Sequence, residues 1–228
     1  MAKKESKFLK QQKFAVGALA VVVLAIVAYL SYQTTIEANI EEFVEGEHYR
    51  LIENPRRIRG DQIEVMEFFS YACVHCYNFD PLIKEWAEGR DDVNLVQTPA
   101  IANEYWRLLG RHYYALEEMD ALEGNHMRAF RAIHDARQVF NGPDRMIQFA
   151  ESSGLDRQAY EQAFNSAEVS NALNRADQMA RRLRVAAVPT IIVQGKYLVR
   201  TTSDIGPRRM LQVIDHLVGL EKAQEASG

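Results

Sequence analysis

The sequence predicts an α/β fold: one mixed central sheet flanked by helices, interrupted by an inserted helical subdomain and preceded by one N-terminal transmembrane helix. Three observations carry this. A β-α-β pattern occupies residues 63–97, a purely helical pattern runs from Glu104 to about Arg184, and a hairpin with a final helix follows from Thr190. With 228 residues, 47% of them hydrophobic, the chain can bury one good-sized core or two small ones.

The formal net charge of −4 conceals a split, because residues 1–13 hold five Lys against one Glu while Glu37, Glu41, Glu42, Glu45 and Glu47 precede Arg50. The basic charge is local, which argues against a nucleic-acid surface. No side chain between Lys13 and Glu37 is charged, and Phe14 to Leu30 is almost wholly apolar, approaching the roughly 20 residues a helix needs to cross a bilayer. Lysines before the run and glutamates after it orient the span. The expected organisation is therefore a cytoplasmic tail at 1–13, a signal anchor at 14–36, a linker at 37–46 and a folded domain at 47–225. That domain lies across the membrane, which in a bacterium is the periplasmic side of the inner membrane. A cleaved signal peptide is the competing reading. It needs a small-x-small site after the apolar run, where Tyr29, Leu30 and Tyr32 stand instead.

Past the linker, His48 to Ile52 reads as a short edge strand that Asn54-Pro55 breaks. Ile63 to Phe69 has the apolar, aromatic look of a central strand. Cys73 to Glu88 carries helical spacing, with Cys76, Phe79, Ile83 and Trp86 or Ala87 on one face, and Val93 to Gln97 supplies a second, parallel strand. Gly124-Asn125, Asn141-Gly142-Pro143 and Ser153-Gly154 punctuate the helical block at about 101–184. Pro143 suits a first helical turn, and Leu155-Asp156 and Ser166 look like further starts, giving four or five helices. Gln194-Gly195 marks a two-residue hairpin turn, and a last helix runs from Pro207 to about Leu220.

The chain has two cysteines, Cys73 and Cys76, spaced to hold a reversible disulfide across one helical turn. A bridge closing four residues restricts the unfolded chain little, so its value is chemical rather than structural. At a helix start, Cys73 faces unpaired backbone N–H groups and the positive end of the helix dipole, which lower its pKa. Cys76, one turn on, is the resolving thiol. His75 between them stabilises the sulfur anion, which favours the reduced enzyme and makes the disulfide a stronger oxidant. Glu67 shares a strand face with Ile63, Val65 and Phe69, so burial raises its pKa, and it either relays the proton of Cys76 or is an ordinary hydrogen-bonded acid. Val188-Pro189 leads a strand, and a cis bond there would present the backbone of Val188 to an extended substrate. His112, His126 and His134 lack an accompanying carboxylate or Cys cluster in the sequence and read as surface or packing residues. Tyr105, Trp106, Tyr113 and Tyr114 read as core or groove walls.

The stretch Met66-Glu67-Phe68-Phe69-Ser70-Tyr71-Ala72-Cys73-Val74-His75-Cys76-Tyr77-Asn78-Phe79 resembles the active-site segment of the DsbA family, thioredoxin-fold disulfide oxidants of the bacterial periplasm. Val188-Pro189-Thr190 through Tyr197 resembles that family's cis-proline loop and hairpin. The resemblance covers roughly residues 45–222. It implies that Glu67 is the buried acid, His75 the thiolate-stabilising histidine and Pro189 the cis-proline, with Val188 and Val74 at the substrate. It also implies a monomeric protein thiol:disulfide oxidoreductase that donates its Cys73-Cys76 disulfide to newly exported proteins. A DsbB-like membrane quinone reductase would reoxidise it, and no metal or dissociable cofactor is needed. Many members carry Pro where Val74 stands, which leaves the redox poise open. A periplasmic reductant or isomerase is the alternative within the same chemistry. A zinc-binding, non-enzymatic module would need ligands beyond the single Cys pair.

Overall fold

A computed structural model of the chain describes residues 16–29, 43–202 and 205–227. The chain divides after Val44 into two units. In the first, residues 16–29 are helical. Among the described residues no helix is long and apolar enough to cross a membrane. The two ends of the expected span, residues 14–15 and 30–36, lie outside the described residues, as do the expected tail and most of the linker.

The second unit is built on a five-stranded sheet in the order β1-β5-β4-β2-β3. Its strands are β1 (Arg50–Leu51), β2 (Ile63–Phe69), β3 (Val93–Pro99), β4 (Thr190–Val193) and β5 (Tyr197–Arg200). β2 and β3 run parallel, joined by α1 (Val74–Ala87), while β4 pairs antiparallel with both β2 and β5. The sheet is therefore mixed, with β2 at its interior. Every residue of β2 except the half-buried Glu64 is buried, as befits a strand covered on both faces. Met66 and Phe68 point to one side, where they meet Ile192, Leu198 and Leu183. Phe69 points to the other, into a larger core with Tyr71, Cys76, Leu109, Tyr113, Phe130 and Leu173.

Between β3 and β4 lie α2 (Glu104–Glu118), α3 (Leu122–His134), α4 (Pro143–Ser152), α5 (Arg157–Phe164) and α6 (Ala167–Arg182). Their starts follow local chemistry. The side chains of Asn103, Asp156 and Ser166 accept from the backbone N–H three residues on, and Pro143 opens α4 without a wasted donor. Gly124, at φ 74°, and Glu123 are not helical, so the regular part of α3 begins just before His126. The last helix, α7 (Pro207–Ser227), packs on β2, β4, β5 and α1.

β1 keeps only Arg50–Leu51 of the expected His48 to Ile52, β3 runs on to Pro99, and two further boundaries differ from the sequence expectation. α7 outruns Leu220 because Glu221, 1% exposed, accepts from Tyr197 Oη at 2.8 Å and pairs with Lys196, which ties down the added turn. The hairpin link is three residues, Gln194 to Lys196, because Val193 pairs with Tyr197. Gln194 and Gly195 both have positive φ, 48° and 64°, and Lys196 N donates to Val193 O at 2.9 Å. A Cβ on Gly195 would sit 2.6 Å from the carbonyl oxygen of Arg56, whose own N–H donates to Gly195 O at 3.1 Å. Gly195→Ala combines a backbone clash with a strained φ, so it should lower stability by about 1–3 kcal/mol. A urea midpoint equal to that of the parent protein would contradict this.

Candidate active site

Cys73 is the N-cap of α1. Its backbone is extended, and its Sγ accepts from the Cys76 N–H at 3.5 Å, the place a serine or aspartate oxygen fills in an ordinary helix cap. The preceding loop is pinned, with Cys73 N donating to Ser70 O at 3.0 Å and Ala72 N to Ser70 Oγ at 3.2 Å. Both thiols are free, Cys73 half-buried and Cys76 fully buried. The Val188–Pro189 peptide is cis, and Val188 O lies 3.5 Å from Cys73 Sγ, close enough to accept from the thiol. The loop before β4 and the start of α1, 115 residues apart in the chain, thus meet at one sulfur.

The two sulfurs differ sharply in acidity. The Cys73 thiol is lowered to about 6, first by the hydrogen bond from the Cys76 side chain, then by the backbone N–H groups of Cys76 and His75, and last by the charge of His75, all against partial burial. Burial pushes Cys76 far up, with the Cys73 sulfur and the Glu67 charge acting in the same direction. At neutral pH one sulfur is a thiolate and the other a thiol. His75 itself is exposed, and Val74 is 48% exposed beside it.

Glu67 is fully buried, and burial raises its carboxyl to about 8, assisted by the negative charge of Asp80 and opposed by a hydrogen bond from Gln97. Gln97 lies directly opposite Glu67 in the β2–β3 register. Its Nε2 donates at 2.8 Å both to Glu67 Oε2 and to Asp80 Oδ1. Asp80, 1% exposed, also lies 2.8 Å from His126 Nε2 and 3.1 Å from Lys84 Nζ. Burial disfavours its charge, yet these partners bring it down to about 2, so it is ionised. Burial lowers His126, which keeps the ring neutral.

The sequence reading missed Gln97 and Asp80, the latter being the carboxylate partner of His126. His126 is buried and carboxylate-bonded rather than an unaccompanied packing residue, and His112 Nδ1 lies 2.7 Å from Tyr160 Oη. Asp80 had a signal, because it stands four residues after Cys76 and three before Ile83, on the face the helical spacing assigns to the core. Among the described residues no group of three or more His, Cys, Asp or Glu is placed to hold a metal. A cavity of about 240 Å³ lies beside Val188, bounded by Ile101, Trp106, Val185 and Ala187. A larger one, about 520 Å³, is lined by Tyr105, Arg111, Phe140 and Phe164 and includes neither cysteine.

An acidic N-cap thiol, a buried partner thiol one turn on and a facing cis-proline loop, set on a mixed sheet with helices inserted between β3 and β4, define a thiol:disulfide oxidoreductase of the thioredoxin-like class. The DSBA-like thioredoxin domain matches residues 106–210. The thiol:disulfide interchange protein DsbA of Pseudomonas aeruginosa is 31% identical over 188 residues, 82% of this chain and 89% of that protein. DsbA of Azotobacter vinelandii is 34% identical over 166 residues, 72% of this chain and 77% of that one. The crystal structure of Pseudomonas aeruginosa DsbA superposes with a TM-score of 0.78 at 31% identity, covering 82% of this chain and 98% of that one. The chain belongs to the DsbA family.

The acidity of Glu67 sets a pH window for stability. Its folded value, about 8, exceeds its ordinary 4.5, so the native state holds a proton that the unfolded chain releases between those values. The stabilisation is complete below about pH 4.5 and is lost as pH rises through 8. Glu67→Gln keeps a neutral group and removes this loss. Its stability relative to the parent protein should climb by on the order of 1–4 kcal/mol between pH 5 and pH 8.5. Parallel stability-pH curves would show that Glu67 is ionised in the native protein.

Proposed function

We propose that this enzyme donates its Cys73-Cys76 disulfide to cysteine pairs of newly exported proteins, as a monomer tethered to the bacterial inner membrane with its catalytic domain in the periplasm. The observation that carries the donor direction is the N-cap geometry of Cys73, because a sulfur held as thiolate at neutral pH favours the reduced enzyme and so makes the disulfide a strong oxidant.

In the oxidised enzyme a client thiolate attacks Cys73 Sγ, the only one of the two sulfurs with access to solvent. The Cys73–Cys76 bond breaks and Cys76 leaves as a thiolate in a buried site. It takes up a proton, and Glu67, still protonated near neutral pH, is positioned to supply it. The client's second thiolate then attacks the client sulfur of the mixed disulfide, and Cys73 departs as its stabilised thiolate. Two electrons pass from client to enzyme. Val188 supports recognition, its carbonyl lying beside the reacting sulfur to pair with the backbone of an extended client while the exposed Val74 offers apolar contact. Reoxidation falls to a DsbB-like membrane quinone reductase in the same membrane.

Cys73→Ser should abolish oxidation of a model dithiol peptide, and residual activity above background would overturn this reading. Equilibration of the purified protein with glutathione should give a potential nearer −120 mV than about −270 mV, whereas the lower value would make the enzyme a reductant.

The tether is supported by the uncharged run between Lys13 and Glu37 and by its opposite flanking charges. The protein should stay with the membrane through alkaline carbonate extraction and lose that retention when residues 1–36 are deleted. Recovery of the full chain in the soluble fraction would remove the tether from the proposal.

A further inference from the structure

The loop leading into Cys73 is held from outside the sheet. Tyr71, two residues before Cys73 and 1% exposed, has its hydroxyl 2.9 Å from His126 Nδ1 and its backbone carbonyl 2.8 Å from His134 Nε2. Between these contacts its ring meets Phe130 in a T-shaped pair, with centroids 4.9 Å apart at 73°. His126, Phe130 and His134 are spaced i, i+4, i+8 on α3, so they form one stripe of that helix facing one residue of the active-site loop.

The hydrogen-bond directions are determined. Asp80 is an ionised acceptor and burial disfavours a charged His126, so the neutral ring donates from Nε2 and accepts at Nδ1. Burial pushes Tyr71 well above its usual range, so it keeps the proton it donates there. A carbonyl can only accept, so His134 donates from Nε2 to Tyr71 O. The His134 ring also stacks on Tyr77 of α1, with centroids 5.2 Å apart and planes within 8°. The hydrogen bonds of the Cys73 sulfur run to Val188 O and from the Cys76 N–H, not to these groups.

We propose that His126 and His134 are positioning residues for the dithiol: α3 clamps Tyr71 by its hydroxyl and its carbonyl and thereby holds the Ser70–Cys73 turn where Cys73 Sγ receives the Cys76 N–H. The inserted helices thus have a task at the reactive cysteine. This rests on Cys73 being the reactive thiol of the reading above.

The test is the pH dependence of Cys73 alkylation in the reduced full-length protein, with three variants. Tyr71→Phe deletes the hydroxyl and keeps the ring. His134→Phe keeps the stack on Tyr77 and deletes the N–H donor, and His134→Gln restores a donor without the ring. The parent protein should titrate near pH 6. Tyr71→Phe and His134→Phe should each move the midpoint upward, reducing the rate at pH 6 by about three- to tenfold and sparing the alkaline plateau. His134→Gln should remain within about twofold of the parent protein.

A midpoint unchanged in both Phe variants, or shifted as far by His134→Gln as by His134→Phe, overturns the clamp. If Tyr71→Phe does not fold, the two His134 variants decide alone. The alkylation comparison uses no client and no quinone reductase, so it stands or falls independently of disulfide donation, which the glutathione equilibrium measures.

Discussion

The chemistry of this protein depends on the cap of α1, where the Cys73 sulfur accepts from the Cys76 N–H and draws its largest stabilisation from the Cys76 side chain. Every α-helix begins with N–H groups that have no partner within the helix, and a cap must satisfy them. Here the cap is a sulfur that can leave with a negative charge. The demand of the helix terminus and the demand of the thiolate are met by the same contact, so folding α1 is also what activates the cysteine. The remaining parts of the site keep that contact in place or manage its consequences. The Ser70 turn aims the sulfur, the cis-proline loop brings Val188 O to its open side, and burial of Cys76 ensures that only one of the two sulfurs is acidic.

Beneath the sulfurs, Glu67, Gln97, Asp80 and His126 divide one problem among them. Two carboxylates buried side by side cannot both ionise cheaply, and the surroundings decide which one does. Asp80 has Lys84 at its surface edge, the His126 N–H and half of the Gln97 amide, whereas Glu67 has only the other half of that amide. Asp80 therefore holds the charge, and its charge reinforces the proton on Glu67. An amide suits the bridging position because its two N–H groups serve both acids without adding charge.

Much of this was legible from residue order. The apolar run Ile63 to Phe69 gave the interior strand, Asp156 and Ser166 gave helix starts, and the cysteine spacing placed Cys73 at a helix start with Cys76 one turn on, while residue order left the isomer of Val188-Pro189 open. Asp80 was harder, because a carboxylate between Phe79 and Pro81 looks like surface until helical spacing places it on the Cys76 face. Gln97 and His126 could not be read at all. Gln97 matters only through its register opposite Glu67, and His126 only because the insertion folds back onto α1. These are long-range facts that a local pattern does not encode. The end of α7 was misjudged for the same reason, since a run of polar residues conceals the contact of Glu221 with Tyr197.

Val74, between the two cysteines, bears on poise through the same geometry. A proline there would stand at the first helical position, where a missing N–H removes nothing the helix uses. The backbone donors that lower Cys73 are the N–H groups of His75 and Cys76, the second and third helical positions. Exchanging proline for valine leaves both in place, so the dominant backbone contribution to thiolate stability is indifferent to this substitution. What valine changes is the outer face. Its side chain, 48% exposed beside Cys73, is apolar and branched where an incoming client must approach. Val74 thus changes the surface beside the sulfur rather than the backbone donors that make it acidic.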